Sequence, residues 1–113
     1  MEIRKESAGD VLTISISGDL DASSAIMLDE SMKEALEIGN KKVIVNCQEL
    51  NYISSAGLGV FISYIDRFKE LKARFILYNM QDQVLNVFQI LGLDKLIAII
   101  ESEKEAVHQI NES

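Results

Sequence analysis

The sequence predicts an α/β domain, a mixed and largely parallel sheet with helices gathered mainly on one face. Short apolar or alternating runs of strand length take turns with longer segments of helical periodicity. Such alternation implies parallel strands joined by right-handed crossovers. Between Val11 and Ser17, Leu12, Ile14 and Ile16 face one way while Thr13, Ser15 and Ser17 face the other, so this strand has one wet face. The length, 113 residues, fits one domain over residues 1–113.

Taken in order, Glu2 to Ser7 reads as a short edge strand whose charges blunt pairing with other chains. The alternating strand Val11 to Ser17 follows, and Gly18-Asp19-Leu20-Asp21 breaks it. Ala25, Leu28, Met32, Ala35 and Leu36 form one helical stripe, with Gly39 as a natural stop. Lys41-Lys42 leads into the short buried strand Val43-Ile44-Val45, and Gln48 to Ser55 reads as a loop. The second helix carries Leu58, Phe61, Ile62, Ile65 and Phe68 at helical spacing. Phe75-Ile76-Leu77 is the next strand. A third helix places Val84, Val87, Phe88 and Leu91 on one face and ends at Gly92. Leu96 to Ile100 is the last strand. Ser102 and Glu105 form a capping box for a helix that buries Ala106, Val107 and Ile110.

The composition narrows the function. A net charge of -7 argues against nucleic acid, whose phosphates need Lys and Arg, and against anionic membranes. It serves solubility, or steering toward a basic partner patch. Hydrophobic residues make up 48% of the chain, enough for one core with no deep internal cavity, so function is expected at the surface or at an element end. Cys47 is the only cysteine, which excludes an internal disulfide and fits a reducing, cytoplasmic setting. Following Val43-Ile44-Val45, it reads as a buried structural thiol. No apolar run is long enough to span a bilayer, and Met1 to Glu6 lacks the apolar core of a signal peptide.

Catalytic constellations are missing from the sequence. His108, the only histidine, lies among polar residues and reads as a surface side chain. No histidine dyad or Cys/His metal spacing exists, and Gly57-Leu58-Gly59 lacks the third glycine of a nucleotide fingerprint. No base is apparent for a serine nucleophile. A non-enzyme without cofactor is therefore expected. Asp19 and Asp21 invite comparison with a phospho-aspartate receiver, but the position after the central strand holds Asn46 or Cys47 instead of an acceptor aspartate. A turn or a helix N-cap accounts for Asp21 equally well.

The most informative stretch is Tyr52-Ile53-Ser54-Ser55-Ala56-Gly57-Leu58-Gly59-Val60. Two serines precede a helix, and one of them can cap it. Gly57 and Gly59 are costly in a first turn, about 0.8 to 1 kcal/mol each relative to alanine. Bare backbone there would let another surface approach closely. The helix N-terminus offers free N–H groups and partial positive charge, which tolerate a phosphate.

On these residues the chain resembles the STAS domain family of bacterial anti-sigma factor antagonists and sulfate-transporter tails. Gly18-Asp19-Leu20-Asp21 is similar to the family's Gly-Glu-Leu-Asp. Ser54-Ser55-Ala56-Gly57-Leu58-Gly59-Val60 is similar to its Asp-Ser-Ser/Thr-Gly-Leu-Gly-Val. The resemblance puts Ser55 on the phosphoacceptor serine, Ala56 on the following Ser/Thr and Ser54 in place of the aspartate. It puts Asp21 on the loop aspartate near the acceptor and Asp19 on a glutamate. A partner-binding surface of Asp19, Asp21, Ser54, Ser55, Ala56, Gly57, Leu58 and Gly59 is implied. So is partner switching: the unphosphorylated antagonist binds an anti-sigma factor and frees a sigma factor. That anti-sigma factor, also a serine kinase, phosphorylates and releases the antagonist, and a PP2C-type phosphatase resets it. ATP and magnesium belong to those partners. The stand-alone length speaks against a transporter tail. The alternative is a STAS accessory subunit of a membrane-lipid transport complex, acting without phosphorylation.

Overall fold

The computed structural model describes residues 1–112; Ser113, the last residue of the expected domain, lies outside them. β1 (Glu2–Ala8) and β2 (Val11–Leu20) form an antiparallel hairpin that turns at Gly9-Asp10. Then come α1 (Ala25–Ile38), β3 (Lys42–Ile53), α2 (Ser55–Glu70), β4 (Arg74–Tyr78) and α3 (Asp82–Ile90). A 3-10 turn (Leu93–Lys95), β5 (Ala98–Ile100) and α4 (Glu103–Ile110) complete the order. The sheet runs β1-β2-β3-β4-β5, with parallel pairing from β2 onward. It is the mixed sheet that the alternation predicts.

Side-chain alternation divides the interior in two. Leu12, Ile14 and Ile16 of β2, with Val43, Val45 and Leu77 of β3 and β4, pack under α1, α2 and α3. On the other face Val11, Ile44, Ile76 and Tyr78 meet Ala106 and Ile110 of α4. Helices therefore lie mainly on one face, and the residues Thr13, Ser15 and Ser17 of β2 stay partly exposed. Each fully buried Leu, Ile or Phe contributes about 1.5–3 kcal/mol. The edge-on pair Phe68–Phe75, with centroids 4.8 Å apart, adds about 0.5–1.5 kcal/mol. Cys47 is buried, and burial pushes its thiol up to about 12, so it packs as the small apolar side chain the sequence suggests. His108 is exposed and lies 3.0 Å from Glu112. Gly39 takes the left-handed position just past α1. The Ser102 hydroxyl oxygen accepts the Glu105 N–H at 3.3 Å, starting α4 as the sequence indicates.

Several expectations are corrected. Neither does β2 break at Gly18, nor does β3 give way to a loop at Gln48. Both strands continue and pair with each other, Ser17 with Glu49, Gly18 with Leu50, Asp19 with Tyr52 and Leu20 with Ile53. Register shifts between Ser15 and Ser17 and between Gly18 and Asp19 absorb extra residues on β3. Gly18 allows one of them, because its φ of 99° is a conformation that side chains disfavour. The last strand is shorter than Leu96 to Ile100, since the 3-10 turn consumes the preceding residues and leaves Leu96 exposed. Ile62, Leu91 and Val107 point outward rather than into their helix stripes. In α2 the inward place goes to Tyr64, which is buried while its hydroxyl donates to the Asp29 carbonyl at 3.0 Å. A satisfied hydroxyl makes the burial of a tyrosine favourable.

Candidate functional site

The continuation of β2 and β3 builds the site. Because Leu20 pairs with Ile53, the residues after each strand leave the sheet side by side. The Ser54 N–H donates to the Leu20 carbonyl at 2.8 Å and ties the two loops together. Asp19 and Asp21 flank Leu20, so the structure brings Asp19, Asp21, Ser54 and Ser55 to one end of the sheet.

The two serines divide the work at the start of α2. Ser54 is extended, with φ -87° and ψ 170°, and its hydroxyl oxygen accepts the Gly57 N–H at 3.2 Å. Its carbonyl accepts the Leu58 N–H at 3.0 Å, the first bond of the helix. Such a cap is worth about 1 kcal/mol. Ser55 is the first helical residue and is exposed. Its N–H and that of Ala56 have no intrahelical acceptor, as at every helix start. Exposed Ala56 and Gly59 add no bulk beside the Ser55 hydroxyl.

The glycines differ in kind. Gly59 faces open space. Gly57 is buried, and a Cβ there would sit 2.7 Å from Leu20 Cγ and 3.1 Å from Ile53 Cγ1. The expectation that Gly57 presents bare backbone to a partner is therefore corrected: the space it leaves is filled from within, by the ends of β2 and β3. Leu58, also proposed for the partner surface, is buried in the main core. Both residues hold the loop in place from beneath.

Asp21 serves the opening of α1. Its Oδ1 accepts the Ser24 N–H at 2.9 Å and lies 2.9 Å from both the Ser23 and Ser24 hydroxyls. The Ser24 oxygen in turn accepts the Asp21 N–H at 2.9 Å. The Asp19 carbonyl, 3.0 Å from Ser24 Oγ, competes for that hydroxyl's single proton. The Ser24 N–H foremost, then the Ser23 and Ser24 hydroxyls, pull the Asp21 carboxyl down to about 2. Asp21 is thus an ionised cap, locked by its own loop. Sequence reasoning missed Ser23 and Ser24; an acid three residues before a serine at a helix start is the signal that could have found them. It also missed Tyr52, Ile26 and Met27, exposed apolar side chains of the same β3 end and the start of α1. Among the described residues no His, Cys, Asp or Glu group of three or more could hold a metal, and no helix is long and apolar enough to cross a membrane.

Comparison with known proteins follows this geometry. The sequence model of the STAS domain matches residues 2–106. An anti-sigma-B factor antagonist of Listeria monocytogenes is 30% identical over 105 residues, 89% of each chain. Among solved structures, an anti-sigma factor antagonist from Mycobacterium paratuberculosis superimposes with a TM-score of 0.89 at 15% identity, over 98% of this chain and 94% of that one. The phosphorylated form of the Bacillus cell fate determinant SpoIIAA gives 0.75 at 22% identity, over 97% of this chain and 100% of that one. At such identities the two structures speak for the fold alone.

Proposed function

The chain belongs to the STAS domain family, and from that premise we propose that it is an anti-sigma factor antagonist that switches partners through phosphorylation of Ser55. The observation that carries this reading is the division of labour at α2: Ser54 is spent on the cap, while Ser55 stands exposed beside it. The named similarity to anti-sigma-B factor antagonists supports the role. In its unphosphorylated state the chain binds an anti-sigma factor in the cytoplasm and releases the sigma factor. The anti-sigma factor acts as the serine kinase, and a PP2C-type phosphatase restores the hydroxyl. The chain itself carries out no catalysis.

The physics of the switch is local. A phosphoserine brings about -1.5 to -2 charges. At the first turn of α2 that charge meets the free N–H groups of the helix, which favour it by about 0.3–1 kcal/mol. Within an interface the same group must shed water, at a cost of several kcal/mol when unpaired. The ionised Asp21 carboxylate of the neighbouring loop offers it no neutralising partner. The fold is thus kept while the partner is expelled. Incubation with the kinase and ATP, followed by site-mapped mass spectrometry, tests the assignment: phosphate on Ser55 is expected, and phosphate on Ser54 alone overturns it.

A further inference from the structure

A second surface lies apart from Ser55, at the open edge of the sheet. β5 is the last strand and pairs on one side only, with β4. The two edges of the sheet are guarded differently. β1 carries Glu2, Arg4, Lys5 and Glu6 along its length, whereas Ala98, Ile99 and Ile100 of β5 bear no charge. Unpaired edge groups are a template for an added strand; charge blunts β1, while β5, three residues long, leaves room for a short segment only.

Beside this edge, between α3 and the end of β5, opens a groove of about 500 Å³. Its apolar floor is made by Met80, Leu85 and Ile99, all partly exposed. Asp82, Asp94 and Glu101 stand around it, each exposed. Lys95, next in sequence to Asp94, and Lys104, in the first turn of α4, do not line it. Among the described residues, none of these three carboxylates enters an ion pair. They do not converge closely enough to hold a metal ion. An apolar floor with a spread, uncompensated negative rim matches a long cationic side chain, which lays its methylene stem on apolar surface and carries its charge to the margin. The free edge of β5 matches an extended backbone.

We propose that this groove and the β5 edge together dock an extended, basic segment of a protein partner, a Lys or Arg stem lying on Met80, Leu85 and Ile99 with its charge among Asp82, Asp94 and Glu101. The site does not depend on the phosphorylation of Ser55. Strand addition supplies affinity without regard to sequence, and the groove selects for positive charge at one position of the segment.

Nuclear magnetic resonance titration of the ¹⁵N-labelled chain with a short peptide of alternating arginine and valine tests the proposal. Shift changes are expected at Met80, Leu85, Ile99 and Ile100, and none with the matching peptide of glutamate and valine. Asp82→Lys combined with Glu101→Lys, both at exposed positions, is expected to weaken binding about tenfold or more with unchanged circular dichroism. Ser55→Asp is expected to leave the peptide affinity within about twofold, as for independent sites. Methylation of alternate peptide amides is expected to abolish strand addition. Shift changes scattered over the whole acidic surface would overturn the proposal, as would full affinity in the double variant or in the methylated peptide. So would shifts of the groove residues that appear on raising the concentration of the chain alone, which would make the occupant a second copy.

Discussion

The loops that follow β2 and β3 leave the sheet side by side, joined by the bond from the Ser54 N–H to the Leu20 carbonyl, yet they treat their polar groups in opposite ways. In the first, Asp21, Ser23 and Ser24 consume one another's donors and acceptors. In the second, a single hydroxyl does the capping and its neighbour Ser55 is left exposed. The same opposition recurs one turn on, where Gly57 faces the packed ends of the strands and Gly59 faces open space. A closed loop fixes the position of an open one. The serine proposed for phosphorylation is exposed where the local structure has already satisfied itself without it.

The largest expected effect falls on the open side. Ser55→Asp is expected to weaken binding to the anti-sigma factor about a hundredfold, corresponding to about 3 kcal/mol, with the melting temperature within a few degrees of wild type. Calorimetric titration measures it, and equal affinities of variant and wild type, repeated with authentic phosphoprotein, would remove Ser55 from the switch. Next comes the closed side of α2. Gly57→Val forces a branched side chain against Leu20 and Ile53 and is expected to cost about 1–3 kcal/mol in urea unfolding. An unchanged midpoint would erase the distinction between the glycines.

Gly59→Ala sharpens that distinction from the other direction. With room for a methyl group in a helix, it is expected to stabilise the fold by about 0.5–1 kcal/mol. Destabilisation would mean that Gly59 is constrained too. The smallest effect concerns acid. Asp21 is held at about 2 in the fold against an ordinary value of 3.8, so its contribution is present above about pH 4 and is lost as pH falls through about 2. The wild-type advantage over Asp21→Asn in urea midpoint is expected to shrink across that window. An advantage that persists at the acid end would show that the first loop is held by something other than its charge.

What the sequence revealed depends on whether a pattern is local. The alternation of β2 and the α1 stripe of Leu28, Met32 and Ala35 are local, and both are read directly. The Ser54-Ser55 helix start is equally legible, because capping chemistry is written in adjacent residues. The far half of β3 is not: Leu50 and Ile53 are buried three positions apart around a register shift, while Gln48, Glu49, Asn51 and Tyr52 are exposed, so no period of two survives. Gly18 resembles a turn until its pairing with Leu50 is known. Gly57 shows the limit for the site. A missing side chain in a helix's first turn leaves space on an unstated side, and Leu20, thirty-seven positions earlier, decides together with Ile53 that it faces inward. Tyr64 was hidden for a related reason, since its hydroxyl finds the carbonyl of Asp29 in another helix.

The placement of α4, alone on its face of the sheet, gives the molecule two layers of unequal cohesion. Its inward contacts are Ala106 and Ile110 against Val11, Ile44, Ile76 and Tyr78. Its far end is held by exposed tethers, the Arg74 guanidinium donating to the Gln109 and Glu112 carbonyls and Lys42 Nζ to Asn111 Oδ1. Small apolar contact and solvent-exposed bonds are the marks of a segment that opens first. Amide hydrogens of α4 should therefore exchange with solvent through a partial opening, well before those of α2, whose Phe61, Tyr64 and Phe68 belong to the larger cluster. Such breathing would uncover Tyr78 and Ile44 while the opposite layer, and with it the start of α2, keeps its arrangement.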